Sequence, residues 1–477
     1  MKKIIYLAIG VSAIVAASCK KSDLSVQKEL IVSGTSAPDT LSGEITVNTT
    51  VTKKTFLQGL VYVKPGVTLT VNAGVTIVGS TGPAIPDTVD LRNNKGTLCI
   101  QKGGKLISNG TPSSPIVWTS EQPVGSRHYG DWGGVVLYGQ APIHRANGDA
   151  TGLFEAFDYK PDERNRYGGT DSLDNSGSIT YNRFEFGGGV VYQINKEVNG
   201  FTFCGVGAGT VFNHNEIAWA GDDATEFFGG TVNIDHILNY EPHDDNYDED
   251  EGYHGKMQFI IGYQTTNCDN SGSHLIETDN DANATNAFPH TNAFISNATF
   301  IGPSVAQNFG SNPSTGFYYD GGIFVRRNSR LTLVNSLVIC QKQPFAVVAT
   351  PTTYPLYASA PSLSDSIVIS YNIFQTNSTA PVVKSPIEGN PVPLATTTDA
   401  ALLAKVGNTA NGNTALNNYS DFKLGDFLQP LTGSPALTGG QNLQALGIPF
   451  FVGTTQRGAV RSTDVWTNSP WISIANN

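Results

Sequence analysis

The chain alternates apolar and polar positions in short runs. In Leu60-Val61-Tyr62-Val63-Lys64-Pro65-Gly66-Val67-Thr68-Leu69-Thr70-Val71-Asn72-Ala73-Gly74-Val75-Thr76-Ile77, Pro-Gly and Ala-Gly interrupt the alternation. A period of two is that of a strand with one buried face, and the glycine breaks are tight turns. Thr97 to Ile107, Pro115 to Ser120 and Trp132 to Gly139 repeat the pattern. No ten-residue amphipathic helix is legible before position 390. The pattern predicts an all-β protein.

A looser repeat overlies the strands. Asparagine recurs inside β-branched or aromatic runs at Asn182, Asn213, Asn233, Asn297, Asn335 and Asn372, with gaps of 31, 20, 64, 38 and 37 residues. Several gaps approach one or two multiples of about 20, one coil of a strand solenoid. Stacked coils would set these amides in ladders. The predicted architecture is a right-handed parallel β-helix over residues 46–440. A β-propeller is the alternative, although no blade period with a fixed signature is visible. Residues 441–477, with Trp466 and Trp471, are expected to fold over the last coil as a cap, because an open solenoid end invites aggregation.

The N-terminus is separate. Met1-Lys2-Lys3 precedes an apolar run from Ile4 to Ala17, then Ala16-Ala17-Ser18-Cys19. That run is short for a bilayer span and suits a signal peptide, residues 1–18. The segment resembles a bacterial lipoprotein signal peptide, which implies cleavage before Cys19 and acylation of its thiol. Lys20-Lys21-Ser22-Asp23 resembles the charged leader of Bacteroidetes surface lipoproteins. Residues 19–45 are expected to be a flexible tether.

Three further segments resemble β-helical lipoproteins of that group: Gly130-Asp131-Trp132-Gly133-Gly134 onward to Ile143, Phe203-Cys204-Gly205-Val206-Gly207-Ala208-Gly209-Thr210, and Asp222-Asp223-Ala224-Thr225-Glu226-Phe227-Phe228-Gly229-Gly230. The ending Arg457-Gly458-Ala459-Val460 is similar too. The resemblance implies a pectate-lyase-like architecture and an outer-membrane, cell-surface location. The membrane, through the lipid anchor, a glycan and an outer-membrane transporter complex are the expected partners.

Charge adds one feature. The 477 residues carry a net charge of -11, which argues against free nucleic acid as a partner. Eleven of the 40 acids fall between Asp222 and Glu251, with no lysine or arginine among them. Such density favours an intervening cation, and calcium prefers carboxylate and carbonyl oxygens. Asp222, Asp223, Asp244, Asp245 and Asp248 are the candidate calcium ligands; a solvated acidic loop and a catalytic carboxylate pair are the alternatives. Glu277-Thr278-Asp279-Asn280-Asp281 is a second acidic cluster, and Lys256, Arg326 and Arg327 are the nearby bases. His236, His243 and His254 read as ion-pair partners, without zinc-site spacing. Tyr240, Tyr247 and Tyr253 are candidate sugar-stacking residues, or ordinary strand tyrosines. Cys99, Cys204, Cys268 and Cys340 read as small buried hydrophobes.

No nucleophile elbow, P-loop or dinucleotide fingerprint is present. Two functions stay open: a non-enzymatic glycan-binding surface protein, or a polysaccharide-active lyase or hydrolase. A basic residue facing the acids across one coil would favour the second.

Overall fold

The computed structural model describes residues 35–36, 39–82, 95–145, 147–157, 161–193, 196–265, 268, 272–303, 319–340, 345–347, 367–375, 383–384 and 409–474. The expected signal peptide, Cys19 and most of the expected tether lie outside the described residues. Among the described residues there are strands and short 3-10 turns, no α-helix, and no helix long and apolar enough to cross a membrane.

Strands of successive coils pair in parallel and in register. Phe201–Val206 pairs with Thr225–Gly230, which pairs with Tyr247–Asp250, then Ser273–Thr278, then Tyr319–Val325. A second wall runs Gly177–Glu185, Val211–Ala218, Asn233–Tyr240 and Lys256–Tyr263. Val211 lies opposite Asn233, so this coil is 22 residues long. The fold is a parallel β-helix. The propeller alternative fails because it requires antiparallel blades, whereas the described antiparallel strand pairs belong to a surface insertion, Gly152–Leu153 with Arg166–Tyr167 and Val190–Gln193 with Lys196–Glu197. The solenoid starts earlier than expected: Thr40–Ile45, inside the predicted tether, pairs with Thr55–Val63. Its last described strand is Thr414–Leu416.

The interior is lined with aromatic rings. Phe203, Phe227 and Tyr253 stack along the axis, with ring centroids 5.0 and 4.2 Å apart. Trp132, from the Gly-Asp-Trp-Gly-Gly segment, is fully buried and donates its indole N–H to Glu185 O at 2.7 Å. Gly130 and Gly221 meet there so closely that a Cβ on Gly221 would stand 2.6 Å from Gly130 Cα. These motif residues are therefore packing devices. All four described cysteines are buried.

Asparagine ladders exist, with partly different members from those the repeat suggested. Asn215 Oδ1 accepts from Asn182 N, and its amide donates to Ile179 O. Farther on, Asn372 Oδ1 accepts from Ser336 N, and Asn413 Oδ1 from Asn372 N. Asn297 and Asn335 instead occupy a corner that one residue per coil turns with positive φ: Tyr181, His214, His236, Phe259, Asn297, Asn335 and Tyr371, between 53° and 60°. Left-handed backbone is uncommon outside glycine, and here each such residue stacks on, or is bonded across, its neighbours.

Residues after 440 correct the capping expectation. They run back along the flank of the coils, over this corner. Asn335 exchanges hydrogen bonds with both backbone groups of Gln441, and Gln258 with both of Val452. Gly458 N donates to Asn335 O, Ala459 N to Thr299 Oγ1, and Ser473 N to the Glu216 carboxylate at 2.6 Å. Trp466 and Trp471 stack on each other and pack with Leu238 and Ile261. The physical reason is supply of partners: the corner side chains and outward apolar residues offer docking along the whole flank.

Candidate functional site

Strand parity builds the site. In Tyr247–Asp250, alternate residues face opposite ways, so Tyr247 and Glu249 enter the core while Asp248 and Asp250 face outward. The segments at 139–176 and 187–199, on either side of the wall strand Gly177–Glu185, cover the outer face over the early coils, with Phe154, Phe157 and Tyr167 packed on Tyr138, Cys204 and Phe228. Where that cover ends, the outward column becomes acidic: Glu226 opposes Asp248, and Asp248 opposes Glu277. The turns preceding these strands add Asp222 and Asp223 from one coil and Asp244 and Asp245 from the next. Asp223 Oδ1 accepts from Asp245 N at 2.8 Å, which locks the two turns together.

The acids therefore converge in a recess. One oxygen each from Asp223, Glu226 and Asp248 lie within 4.8 Å of one another, as do those of Asp222, Asp223 and Asp244. Asp245 belongs to a third group with His274 and Glu277. Burial first, and neighbouring carboxylates second, push Asp223, Glu226, Asp245 and Asp248 well above the usual carboxylate range. Glu226 accepts a hydrogen bond from the Asn199 amide. Asp248 Oδ1 is buried and accepts none from any described residue. Leaving such an atom unsatisfied costs about 1–3 kcal/mol or more.

A base does face the acids. Arg326 pairs with Glu277 and Asp279, and Arg327 Nη1 lies 2.8 Å from Asp279 Oδ2. These carboxylates hold the Arg326 guanidinium charged, despite its burial. On the insertion side, Arg145 reaches Glu251 at 3.0 Å, and Tyr167 donates to the same carboxylate at 2.5 Å.

The aromatic expectation is corrected. Tyr247 and Tyr253 are fully buried, their hydroxyls donating to Ile261 O and Val232 O. Both are core residues because they sit at inward positions of their coil, so neither can stack on a sugar. Tyr240 is half-buried and stacks on Tyr263 with centroids 5.0 Å apart. A different ring pair flanks the acids: Tyr129 lies parallel to His243 at 3.8 Å, next to Asp244. His254 turns its Nδ1 to Gly252 O at 2.7 Å.

The predicted ligand set left out Glu226, Asp250 and Asn199, whereas Glu277, from the second acidic cluster, does stand on the next coil opposite Asp248. A signal was available for Glu226 and Asp250. Asp222 and Asp244, Asp223 and Asp245, and Glu226 and Asp248 are each 22 residues apart, the length of the local coil; Asp250 stands likewise above Phe228.

Compared with known proteins, residues 42–420 match the family model of the pectate-lyase-like β-helix domain. No curated protein matches the chain, and no solved structure does. Because the match spans most of the chain and the coils follow it from end to end, this protein belongs to the pectate-lyase-like β-helix family.

Proposed function

We propose that the protein is a lipid-anchored cell-surface protein that binds a glycan at the acidic recess, with calcium held between Asp223, Glu226 and Asp248. The observation that carries this reading is the convergence of these three carboxylates, one with a buried oxygen lacking a hydrogen bond. The donors fit the ion. Calcium–oxygen bonds of 2.3–2.6 Å put ligands across the ion about 5 Å apart, and the carboxylate oxygens already lie within 4.8 Å. Asp222, Asp244 and Asp245 surround this set. A bound calcium keeps coordination positions for sugar hydroxyls, and the Tyr129–His243 pair offers a half-buried ring face beside them.

A polysaccharide-active enzyme is the second reading, favoured by Arg326 facing the acids one coil away. Charged and doubly paired, Arg326 suits stabilisation of negative charge rather than proton abstraction. The closely spaced carboxyls Glu226 and Asp248 suit a retaining glycosidase, whose carboxyl groups stand about 5–5.5 Å apart.

A glycan array with product analysis separates the two. Binding to a subset of glycans, lost in EDTA and in Asp248→Asn, with no cleavage, is the expected result. Released oligosaccharides, lost in Glu226→Gln, would establish the enzyme instead. No calcium-dependent retention and no products from any glycan would overturn both.

The anchor is tested separately. Cys19→Ser is expected to move the protein from the membrane fraction to the soluble one, since stable attachment needs more than one acyl chain or signal. Unchanged membrane partitioning would reject lipidation at Cys19.

A further inference from the structure

We propose, resting on the glycan reading above, that Phe288 is a sugar-stacking residue on a rigid arm at the rim of the acidic recess. It takes a ring farther along the glycan than the one at calcium.

Phe288 is 83% exposed, the most open large apolar side chain among the described residues. His290 meets it at 89° with centroids 6.2 Å apart, an edge contact that leaves the faces of the phenyl ring open. On a loose loop such a ring would mean little, since single exposed apolar residues are common. This loop is braced from beneath by side chains that are themselves buried: Asn280, Asp281 and His144 are 0%, 1% and 3% exposed. The Asp281 carboxylate accepts from Asn283 N, Thr285 N and Thr285 Oγ1 at 2.9, 3.2 and 2.5 Å. Asn280 donates to Thr285 O and Ala287 O and accepts from Thr291 N. From the covering segment, His144 sets one ring nitrogen 2.5 Å from Pro289 O and the other 3.3 Å from Asp281 Oδ2. Asn328 donates to Thr285 O. Both neighbours of Phe288 are thus fixed before a ligand arrives, which spares the ordering cost of binding.

The chain places this arm at the recess. Asn280 and Asp281 continue directly from Asp279, which pairs with Arg326 and Arg327. Pro289 closes on Gly252, two residues past Asp250, so tightly that a Cβ there would stand 2.5 Å from Pro289 O. The arm therefore borders the acids Asp250 and Asp279. A flat apolar ring beside a few fixed polar groups matches a sugar, whose hydroxyls take the polar groups and whose C–H face takes the ring. The bracing asks nothing of the phenyl group: it uses the backbone of Ala287 and Pro289 and the side chains of Asn280, Asp281 and His144.

The test compares the parent chain, Phe288→Ser, Phe288→Trp and Asp248→Asn on a polysaccharide array in calcium, with melting curves and calcium calorimetry for each. Phe288→Ser is expected to weaken retention on the polysaccharides the parent binds, on the order of tenfold. Phe288→Trp is expected to retain them, and neither variant to change the melting temperature or the calcium affinity. Asp248→Asn is expected to lose calcium and glycan together. Parent-like retention by Phe288→Ser, where Asp248→Asn has lost it, overturns the stacking role and leaves the calcium site standing. Weakened retention in Phe288→Ser that comes with a lower melting temperature or lost calcium makes the residue structural and overturns the role too. A parent chain retained on no polysaccharide overturns both the stacking role and the glycan reading.

Discussion

In EDTA, the protein is expected to melt at a higher temperature at pH 5 than at pH 8, and calcium is expected to reverse much of that loss. Four glutamates drive the slope. Burial pushes Glu249 and Glu216 up to about 8, and Glu251 and Glu277 up to about 7. In each case the folded state holds a proton that the unfolded chain releases near pH 4.5. Stability contributed by these groups is therefore full below that value and is lost as pH rises through the folded pKa. Glu249 is the clearest case. It is fully buried, and neither carboxyl oxygen bonds any described residue. At about 1.4 kcal/mol per pH unit, its share alone is on the order of several kcal/mol between pH 4.5 and 8. Glu249→Gln is expected to flatten the slope without touching the calcium response, which belongs to the outward acids. Protons compete with the ion for those carboxylates, so calcium stabilises more at pH 8 than at pH 5. Melting curves across this range, with sodium chloride at matched ionic strength, give the answer. A melting temperature that rises steadily from pH 5 to 8 in EDTA would contradict the buried-acid account.

Ending the chain at Gly440 is expected to produce an aggregating protein. The deletion uncovers Leu238 and Ile261, on which Val460, Trp466 and Trp471 pack, and Val334, on which Leu443 and Phe451 pack. It also leaves the amides of Gln258, Asn297 and Asn335 without their backbone partners in the strap. Large-to-small changes at buried aromatics cost about 3–5 kcal/mol each, so Trp471→Ala, at a site 1% exposed, is expected to lower the melting temperature clearly on its own. Sedimentation velocity and binding of a hydrophobic dye distinguish the outcomes. A soluble, monomeric truncation with an unchanged melting temperature would show that the strap contributes nothing to the coils.

The strand pattern made the solenoid legible because alternation and glycine turns report directly on pleat and bend. The route of the strap was not, since residues 441–474 form no strands and many of their bonds to the coils run through backbone groups; Trp466 and Trp471 marked a packing segment without marking the flank on which it packs. At the recess, composition located the acids but not their facing. Tyr247-Asp248-Glu249-Asp250 reads as one polar run, yet parity sends Tyr247 and Glu249 inward. Tyr253 failed as a sugar-stacking residue for the same reason. The 22-residue columns were present in the numbers, masked by insertions that change the coil length: Asp248 to its partner Glu277 is 29 residues.

Coils that touch only their neighbours can fray from either end. The strap alters that kinetics. Arg457 reaches Thr414 on a late coil, while Ser473 reaches Glu216, 257 positions earlier in the chain. Any intermediate coil that opens has to tear the strap as well, so unfolding begins with the strap peeling away. Resistance to proteases and to slow inactivation is then a rate set by the last 35 or so residues, a segment that contributes no strand to the solenoid it holds shut.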